Sequence, residues 1–409
     1  MNEQRLKRFN KVFPWFEGLS KDLLFWVAID TLFLTVVKKL TASQIVSLTS
    51  ISLITCILLQ IPLLNIIKKI GNTKSVRLGS LLLLVSSVLL TFGWKYIVIV
   101  IGKILYEIAF TFQNMINVVL KNNLELQSRE NEYIKFRTKA NTIYGIVTMI
   151  ISFVASIMFN INHYLPMLGC ILFCLICFIM SFGMIDYSDN DIIEYKDSEK
   201  KNDTIKMNYP KVVLLIIMSY GMFYPIVNSG QSNGKLFIQQ ELLKSFNVEK
   251  TALIIGAILC VSRIVRVVSN IVFNKIYIKY QNKVGFILPI LLSISLTLMI
   301  GGYLMSFSIV LKILMMSLGY IIILFIRDPF KVYMQDLALK KSDKQQQQSV
   351  LITLDLSRKI VRAIISLSFT AILINNPMII VMLILVVLSI IEIFISVYLY
   401  GMITKEIEN

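Results

Sequence analysis

The stretch "LLFWVAIDTLFLTVV", residues 23–37, is almost continuous hydrocarbon with one carboxylate, Asp30, near its middle. Similar apolar runs recur from residue 20 almost to the end of the chain, in a sequence that is 56% hydrophobic and 16% charged. A helix needs about 20 predominantly apolar residues to cross the hydrocarbon core of a bilayer. Because the runs are long and apolar all round, they predict spanning helices and not the short alternating strands of a membrane barrel. We therefore expect an all-α polytopic membrane protein.

The apolar runs predict about twelve transmembrane helices. Their approximate bounds are 20–38, 44–67, 76–94, 96–120, 140–160, 164–186, 211–232, 251–273, 283–305, 308–330, 350–374 and 377–403. The residues before the first run are basic and polar, and the run itself is long enough to span the bilayer. We therefore expect no cleavable signal peptide.

The longest polar break is "YSDNDIIEYKDSEKKNDTIKMNYP", residues 187–210. Its mixed charge and final proline predict a cytoplasmic linker between an N-terminal six-helix half, residues 1–186, and a C-terminal six-helix half, residues 211–409. The loops after the second and eighth helices, "NIIKKIGNTKSVRLG" and "NIVFNKIYIKYQNKVG", both open with Asn-Ile and pass through basic residues. Transporters are commonly built from internal repeats, so this echo favours a pseudo-symmetric six-plus-six arrangement.

The net charge of +17 is explained by membrane topology. When the predicted loops are assigned alternately to the two sides, most Lys and Arg residues fall on the side of the N-terminus. Cytoplasmic loops carry such an excess, so we expect both termini to be cytoplasmic in a multi-pass protein of the cell membrane. The lipid bilayer is an expected partner, through its anionic headgroups, and nucleic acid is not.

The sequence predicts no metal site, no cofactor and no enzyme activity. Its single histidine, His163, lies in the short turn "NINHYLP", and Cys170, Cys174 and Cys177 lie in one apolar run where thiols pack as small hydrophobes. An intramembrane enzyme needs a nucleophile with a base, or a metal cluster, and this pattern offers neither. A nucleotide-binding loop of the Gly-x-x-x-x-Gly-Lys-[Ser/Thr] type is also lacking in the sequence, which disfavours an ATP-driven pump.

The segment "LNIIKKIGNT" resembles the loop motif Gly-x-x-x-Asp-Arg-x-Gly-Arg-Arg of the major facilitator superfamily. It keeps the motif's second glycine as Gly71 and a basic residue as Lys69, but has Leu64 for the first glycine and Lys68 for the acid. "FRTKANTIYGIV" and "SVLITLDLSRKIVRAIIS" are similar to further family segments, the second one to drug-efflux members. With the six-plus-six layout, the resemblance covers essentially the whole chain.

This resemblance implies a two-domain helical bundle that exposes a central cavity alternately to each side of the membrane. In the family, the motif's Asp is thought to help lock the two halves together on the cytoplasmic side. Because this chain lacks that acid, a replacement lock has to come from elsewhere.

Ionisable side chains inside spanning helices are costly, so each one is a functional candidate. Asp30 lies near the middle of the first helix, where gain and loss of a proton would couple transport to a proton gradient. A permanent pairing with a Lys or Arg of a neighbouring helix is the alternative. Lys103, Glu107, Asn114 and Asn117 recur at helical spacing in the fourth helix and predict a polar stripe that faces a cavity. A purely structural ion pair between Lys103 and Glu107 remains open.

The seventh helix carries a second candidate cavity surface. Tyr220, Tyr224, Asn228 and Gln231 recur there at helical spacing, and Pro225 permits a break in the helix. Broken helices are tolerated at membrane depth where they line a cavity. The tyrosine rings would hold an amphipathic substrate, or they are only anchors at the membrane interface.

A further set of charges predicts a cytoplasmic gate. It consists of Arg263 and Arg266 in the eighth helix, Arg327 and Asp328 at the end of the tenth, and Asp355, Arg358 and Arg362 in the eleventh, together with Lys69 and Gly71 of the loop motif. Transporter sites usually lie near the bilayer midplane, so gating or structural pairing is favoured here over direct substrate binding. Glu392, an acid inside the twelfth helix, is assigned no transport role.

These features predict a secondary active transmembrane transporter of a small molecule, which works by alternating access, is coupled to protons and acts as a monomer. Export of amphipathic compounds by antiport is favoured, because the aromatic and Met-rich composition suits loosely specific apolar pockets. A proton-coupled importer of a sugar, organic anion or peptide is the main alternative. A non-transporting membrane receptor or scaffold is the alternative outside this class.

Overall fold

The computed structural model describes residues 2–129, 132–188, 209–305, 308–342 and 347–408. Within these ranges all regular secondary structure is helical, which confirms the all-α prediction. The predicted linker falls almost entirely on residues 189–208, which lie outside the described part of the chain.

Two compact units make up the chain: Met1–Phe33 with Ile51–Ile205, and Leu34–Ser50 with Lys206–Asn409. We call them unit 1 and unit 2. The helices before the linker are α1 (Asn2–Ser20), α2 (Leu24–Leu32), α3 (Ala42–Ile70), α4 (Asn72–Phe92), α5 (Tyr96–Gln113), α6 (Ile116–Glu125), α7 (Tyr133–Ile161) and α8 (Leu165–Ser181). Those after it are α9 (Lys211–Ser245), α10 (Val248–Tyr280), α11 (Val284–Leu304), α12 (Ile309–Lys341), α13 (Gln347–Asn375) and α14 (Met378–Glu408).

Nine helical stretches in the described residues are long and apolar enough to cross a membrane, and α8 is a shorter apolar helix. The other predicted spans correspond to α13 and to α2, which continues as one π-helical turn over Phe33–Val37. Large apolar side chains such as Leu58, Ile61 and Phe394 are more than 70% exposed on the helix surfaces. An exposed apolar surface of this kind is expected where lipid is the solvent.

Several predicted helix bounds are wrong. The predicted fourth helix is interrupted by a turn at Asn114 and Met115, which separates α5 from α6. The seventh and tenth helices continue beyond their apolar runs, to Ser245 and Lys341. Pro225 does not break α9, which runs on through it. Hydrophobicity marks only the part of a helix that lies in hydrocarbon, so it does not locate a helix end in water.

An N-terminal helix was not predicted. α1 buries Phe9, Phe13 and Phe16 in a cluster with apolar residues of α4, α6 and α7, while its other face carries charged side chains. Its amphipathic pattern is typical of a helix that packs on a protein surface. α1 therefore belongs to the core of unit 1.

Close helix pairs hold each unit together. In unit 1, a Cβ on Gly79 of α4 would lie 2.9 Å from the carbonyl oxygen of Ala109 in α5. In unit 2, a Cβ on Gly319 of α12 would lie 2.6 Å from the Met299 side chain of α11. Real Cβ atoms do not approach so closely, so only glycine allows these contacts. Small residues at such interfaces are the usual means of packing membrane helices.

α9 is the central helix of unit 2. It packs against α12, α13 and α14, and 72% of its most apolar segment is buried, compared with 50% or less for every other candidate span in the described residues. Polar side chains on α9 are therefore held between helices, away from lipid. This burial positions the tyrosine-bearing face described below.

Candidate functional site

Unit 2 brings together residues that the sequence analysis assigned to different roles. Nη1 of Arg327 donates a hydrogen bond to Oε1 of Gln231 at 2.8 Å, and its Nε lies 3.4 Å from the hydroxyl oxygen of Tyr224. The rings of Tyr220 and Tyr224 are stacked with centroids 5.5 Å apart. The guanidinium groups of Arg327 and Arg358 lie 5.7 and 5.2 Å from the Tyr224 ring centroid. We call these five residues the arginine–tyrosine cluster.

The cluster is built from the middle parts of three long helices. Tyr220, Tyr224 and Gln231 recur on α9, Arg327 lies near the centre of α12, and Arg358 lies near the centre of α13. Asn228 is buried one turn after Tyr224 on the same helix. The prediction that Arg327 and Asp328 sit at a helix end is wrong, because α12 continues for three more turns to Lys341.

Two carboxylates of unit 2 are paired with arginines. Asp328 accepts hydrogen bonds from Nε and Nη2 of Arg266 at 2.7 and 3.1 Å, and a weaker one from Asn270 at 3.3 Å. Asp355 lies 2.5 Å from Nη2 of Arg358 and 3.1 Å from Nζ of Lys359. These pairs neutralise Arg266 and Arg358 and fix their side chains, as bidentate and charge-assisted contacts do.

Two arginines of unit 2 lack a carboxylate partner among the described residues. Arg327 donates hydrogen bonds to the neutral groups of Gln231 and Tyr224 and forms no ion pair with a carboxylate of the described residues, although its charge acts on the neighbouring Asp328. Arg263 is 94% buried on α10, one turn before Arg266, and its Nε has no hydrogen-bond partner. An isolated buried cation is unfavourable unless an acceptor or a counter-charge reaches it. Unit 2 therefore holds an excess of positive charge between its helices. Arg362 lies half-buried one turn beyond Arg358.

Unit 1 holds the predicted acid–base residues in a separate network. Nζ of Lys103 lies 3.3 Å from Oε1 of Glu107 and 3.8 Å from the ring centroid of Tyr106. The Tyr106 hydroxyl donates a hydrogen bond of 2.5 Å to Asp22, at the start of α2. Asp30 is half-buried on α2, and its Oδ1 accepts a hydrogen bond of 2.7 Å from the backbone N–H of Thr31.

The predicted polar stripe of the fourth helix is divided by the turn between α5 and α6. Asn114 is exposed in that turn, while Asn117 on α6 accepts a hydrogen bond from Arg137. Arg137 also pairs with Glu17 of α1. Burial raises the pKa of the Glu17 carboxyl above its usual range, although the Arg137 charge acts in the opposite direction. Asn117 thus belongs to a polar contact between α1, α6 and α7.

The loop motif between α3 and α4 places its two retained residues differently. Lys69 is exposed in the last turn of α3. Gly71 is buried with a φ of 83°, a conformation that favours glycine, and its carbonyl oxygen begins α4 by accepting from Ser75. The motif's second glycine is therefore explained by a turn.

An acid that the sequence analysis did not single out lies beside this loop. Asp186 is 5% exposed, and its carboxylate accepts hydrogen bonds from the amides of Asn72 at 2.9 Å and Asn122 at 2.8 Å. Its own backbone N–H donates to the hydroxyl of Thr73 at 3.0 Å. Asp186 thus ties the segment after α8 to the first turn of α4, where the helix dipole favours an anion. Only its position next to a polar segment marks it in the sequence.

Glu392, which the sequence predicts to have no transport role, lies in a polar contact between α9 and α14. It is fully buried on α14, and its Oε1 accepts hydrogen bonds from the hydroxyls of Ser219 at 2.6 Å and Ser396 at 2.8 Å. Its signal in the sequence is a single acid within the apolar run 377–403.

Residues 34–50 are held in unit 2 by hydroxyl contacts. The Gln239 amide donates to Oγ1 of Thr35 at 2.6 Å, and the hydroxyls of Ser50 and Ser366 lie 2.8 Å apart. Nearby, a cavity of about 290 Å³ is lined by residues that include Phe237, Glu241 and Tyr303.

In the described residues, no group of three or more His, Cys, Asp or Glu side chains is arranged to hold a metal ion.

No protein-family model and no curated protein matches the sequence. Solved structures do match its fold. A bacterial homologue of the iron transporter ferroportin, in an inward-facing state, has 12% identity and a TM-score of 0.71, with 96% of this chain and 98% of that chain covered. The nucleoside transporter NupG has 13% identity and a TM-score of 0.71, with 97% and 99% covered. A bacterial metal transporter has 11% identity and a TM-score of 0.67, with 96% and 98% covered.

These similarities span nearly the full length of each chain, so they confirm the predicted all-helical polytopic fold. Identity this low shows the fold alone. All three neighbours are membrane transporters.

Proposed function

We propose that this protein is a secondary active transporter that carries an organic anion across the membrane by alternating access, coupled to protons. The observation that carries the proposal is the excess positive charge inside unit 2, where Arg263 and Arg327 have no carboxylate partner among the described residues. This substrate class was one of the alternatives from the sequence, and the arrangement of the arginines favours it over amphipathic compounds in general.

An unpaired cation inside a membrane protein costs at least about 2.5 kcal/mol on insertion scales. An anionic substrate would offset that cost, because a guanidinium receives carboxylates and phosphates through two parallel hydrogen bonds. The Arg327 guanidinium is held in place by Gln231 and Tyr224, so it is preorganised for such a ligand.

The stacked rings of Tyr220 and Tyr224 supply an apolar, flat surface beside the arginines. Aromatic rings prefer stacked or edge-to-face partners, so a planar or aromatic portion of the substrate would pack here. In this proposal Arg327 contacts the substrate, whereas the Arg266–Asp328 and Arg358–Asp355 pairs keep the predicted role in a gate or in structure.

Proton coupling is supported by electrostatics. Inward movement of one negative charge against a membrane potential of 100 mV costs about 2.3 kcal/mol, and a proton that moves with the anion removes this cost. Uptake of an anion would therefore depend on protons. Asp30 and Glu107, both half-buried on helices of unit 1, remain candidate proton carriers.

Export of an amphipathic compound is the second candidate, and the stacked tyrosines favour it. We further propose the cell membrane as the location, cytoplasmic termini, a monomer, and the division into halves at residues 187–210. These proposals rest on the distribution of basic residues and on the apolar runs.

Substitution of Arg327 tests the substrate class. The purified protein, in detergent, is screened by ligand-induced thermal stabilisation against aromatic carboxylates and sulfonates, neutral sugars, peptides and cationic drugs. We expect anions to stabilise the protein, and Arg327→Gln to weaken their binding at least about tenfold, since a charge-assisted hydrogen bond is lost. Without ligand, the variant should lose little stability, because Arg327 forms no ion pair with a carboxylate of the described residues.

Lys340→Gln is the matched control. This lysine lies on the same helix, is 60% exposed and pairs with Asp336. Its loss should leave ligand binding unchanged. Stabilisation by neutral or cationic compounds alone, or equal anion binding by Arg327→Gln and the unaltered protein, would contradict the proposed substrate class.

A further inference from the structure

Glu392 is the most deeply buried acid of the described residues that no role above uses. Its exposed fraction is 0%, on the middle turns of α14. Both of its hydrogen bonds, from Ser219 of α9 and Ser396 of α14, end on the same oxygen, Oε1. The other oxygen, Oε2, is buried without a partner.

This pattern suits the neutral acid. Two hydroxyl donors on a single carboxyl oxygen match a carbonyl oxygen, which accepts two hydrogen bonds, while Oε2 carries the proton. An ionised carboxylate would spread its charge over both oxygens and leave half of it on Oε2, to which no side chain of the described residues donates. Burial of that charge is unfavourable.

No cation of the described residues forms an ion pair with Glu392. α9, α11 and α13 are the elements packed against α14. Their titratable and charged groups near the middle of unit 2 are Tyr220 and Tyr224 on α9 and Asp355, Arg358, Lys359 and Arg362 on α13, and α11 contributes only Tyr303 at its far end. On α14 itself the nearest are Tyr398 and Tyr400. None of these side chains forms a hydrogen bond or ion pair with Glu392.

Glu392 is connected to the arginine–tyrosine cluster through one helix. Ser219, which donates to Glu392, directly precedes Tyr220 on α9, and Tyr220 stacks on Tyr224 beneath the guanidinium of Arg327. A shift of α9 that moves the tyrosines therefore also moves Ser219 relative to α14. The proton site and the anion site would then respond to the same movement.

We propose that Glu392 is the proton-binding residue of the transport cycle, which rests on the proposed function above. The Glu392 carboxylate takes one proton from water when α9 has moved away from α14, and the described arrangement, with both serines on Oε1, is the protonated form. When α9 next separates from α14 toward the other side of the membrane, Glu392 returns the proton to the water on that side. Bound proton and bound anion cross together, so the net charge moved is reduced by one.

The test is Glu392→Gln in proteoliposomes, since the amide keeps an oxygen that accepts from both serines but binds no proton. Two assays are compared with the unaltered protein, using an anion identified by the binding screen. In exchange, labelled anion outside replaces unlabelled anion inside without net proton movement. In driven uptake, an acidic exterior drives accumulation, with a pH dye inside.

We expect Glu392→Gln to keep exchange within about threefold and to lose both accumulation and the dependence of exchange on pH. Asp336→Asn, which removes a 45% exposed carboxylate of α12, is the control and should keep driven accumulation. Accumulation and acidification by Glu392→Gln at the unaltered rate would overturn the assignment of Glu392 while the transporter proposal stands. Failure of the unaltered protein to move any anion would instead defeat the proposed function.

Ser219→Ala is a second test of the proposal, which remains available if Glu392→Gln does not insert into the membrane. It keeps the acid and removes one donor that, in the proposed cycle, reaches only the protonated form. The midpoint of the pH profile of uptake should then move to lower pH by about half a unit or more, the effect of one lost hydrogen bond. An unmoved midpoint contradicts the proposal.

Discussion

Charge pairing separates the arginines of unit 2 into two kinds. Arg266 and Arg358 each face an aspartate, whereas Arg327 and Arg263 form no ion pair with a carboxylate of the described residues. The first kind contributes to the native structure, and loss of one partner leaves a buried charge. The second kind costs stability, so a reason for its presence has to lie in function.

Arg266→Gln tests the first kind. The pair with Asp328 is about one fifth exposed, so removal of the arginine should lower the free energy of unfolding by about 2 kcal/mol, because the aspartate is left without its cation. Thermal unfolding in detergent measures the change. The double variant Arg266→Gln with Asp328→Asn should recover at least half of the loss, and a double variant less stable than the single one would argue against this pairing.

Among the secondary-structure elements, α1 stands apart because it is polar in sequence yet supplies core residues. Phe13 is fully buried, with its ring 5.8 Å from that of Phe9 and 6.5 Å from that of Phe136 on α7. Its neighbour Trp15 is 52% exposed on the opposite face. α1 is therefore expected to fold with unit 1 and not as a free tail.

Phe13→Ala should lower the free energy of unfolding by about 3–5 kcal/mol, the usual cost of a phenylalanine removed from a packed core. Trp15→Ala, on the same helix, should change it by less than about 1 kcal/mol. Detergent unfolding curves of the two variants give the comparison. Equal, small effects would show that α1 does not pack as described.

The spanning helices were predictable because the property that defines them, a long apolar segment, is read directly from neighbouring residues in the sequence. Length and hydrophobicity decide whether a segment spans a bilayer, so the apolar runs located the spans. The ends of α9 and α12 lie beyond the apolar signal, and the turn at Asn114 depends on contacts made by α5 and α6. α1 was missed because the apolar face of an amphipathic helix can be interpreted only when the surface that it packs against is known.

The site was predictable residue by residue but not as an assembly. The spacing of Tyr220 and Tyr224 on one helix and the presence of charges inside the spans are visible in the sequence. The contact between Arg327 and Gln231 joins residues 96 positions apart, so it follows only from tertiary packing. The division into cavity and gate residues failed to anticipate that members of both groups touch.

For the whole molecule, the central claim is that positive charge within a transporter fold binds an anion whose movement is coupled to protons. Unit 2 supplies the unpaired arginines and the stacked tyrosines, and unit 1 supplies the Lys103–Glu107 pair. The similarity in fold to membrane transporters of known structure spans nearly the full length of the chain.

The most direct test measures labelled anion and internal pH together in proteoliposomes, with a pH gradient imposed and then reversed at a clamped membrane potential. We predict that an acidic exterior drives anion accumulation with acidification of the interior, that reversal drives anion efflux, and that Arg327→Gln abolishes both. Accumulation of a neutral or cationic compound under the same gradients, with no anion moved in either direction, would contradict the account.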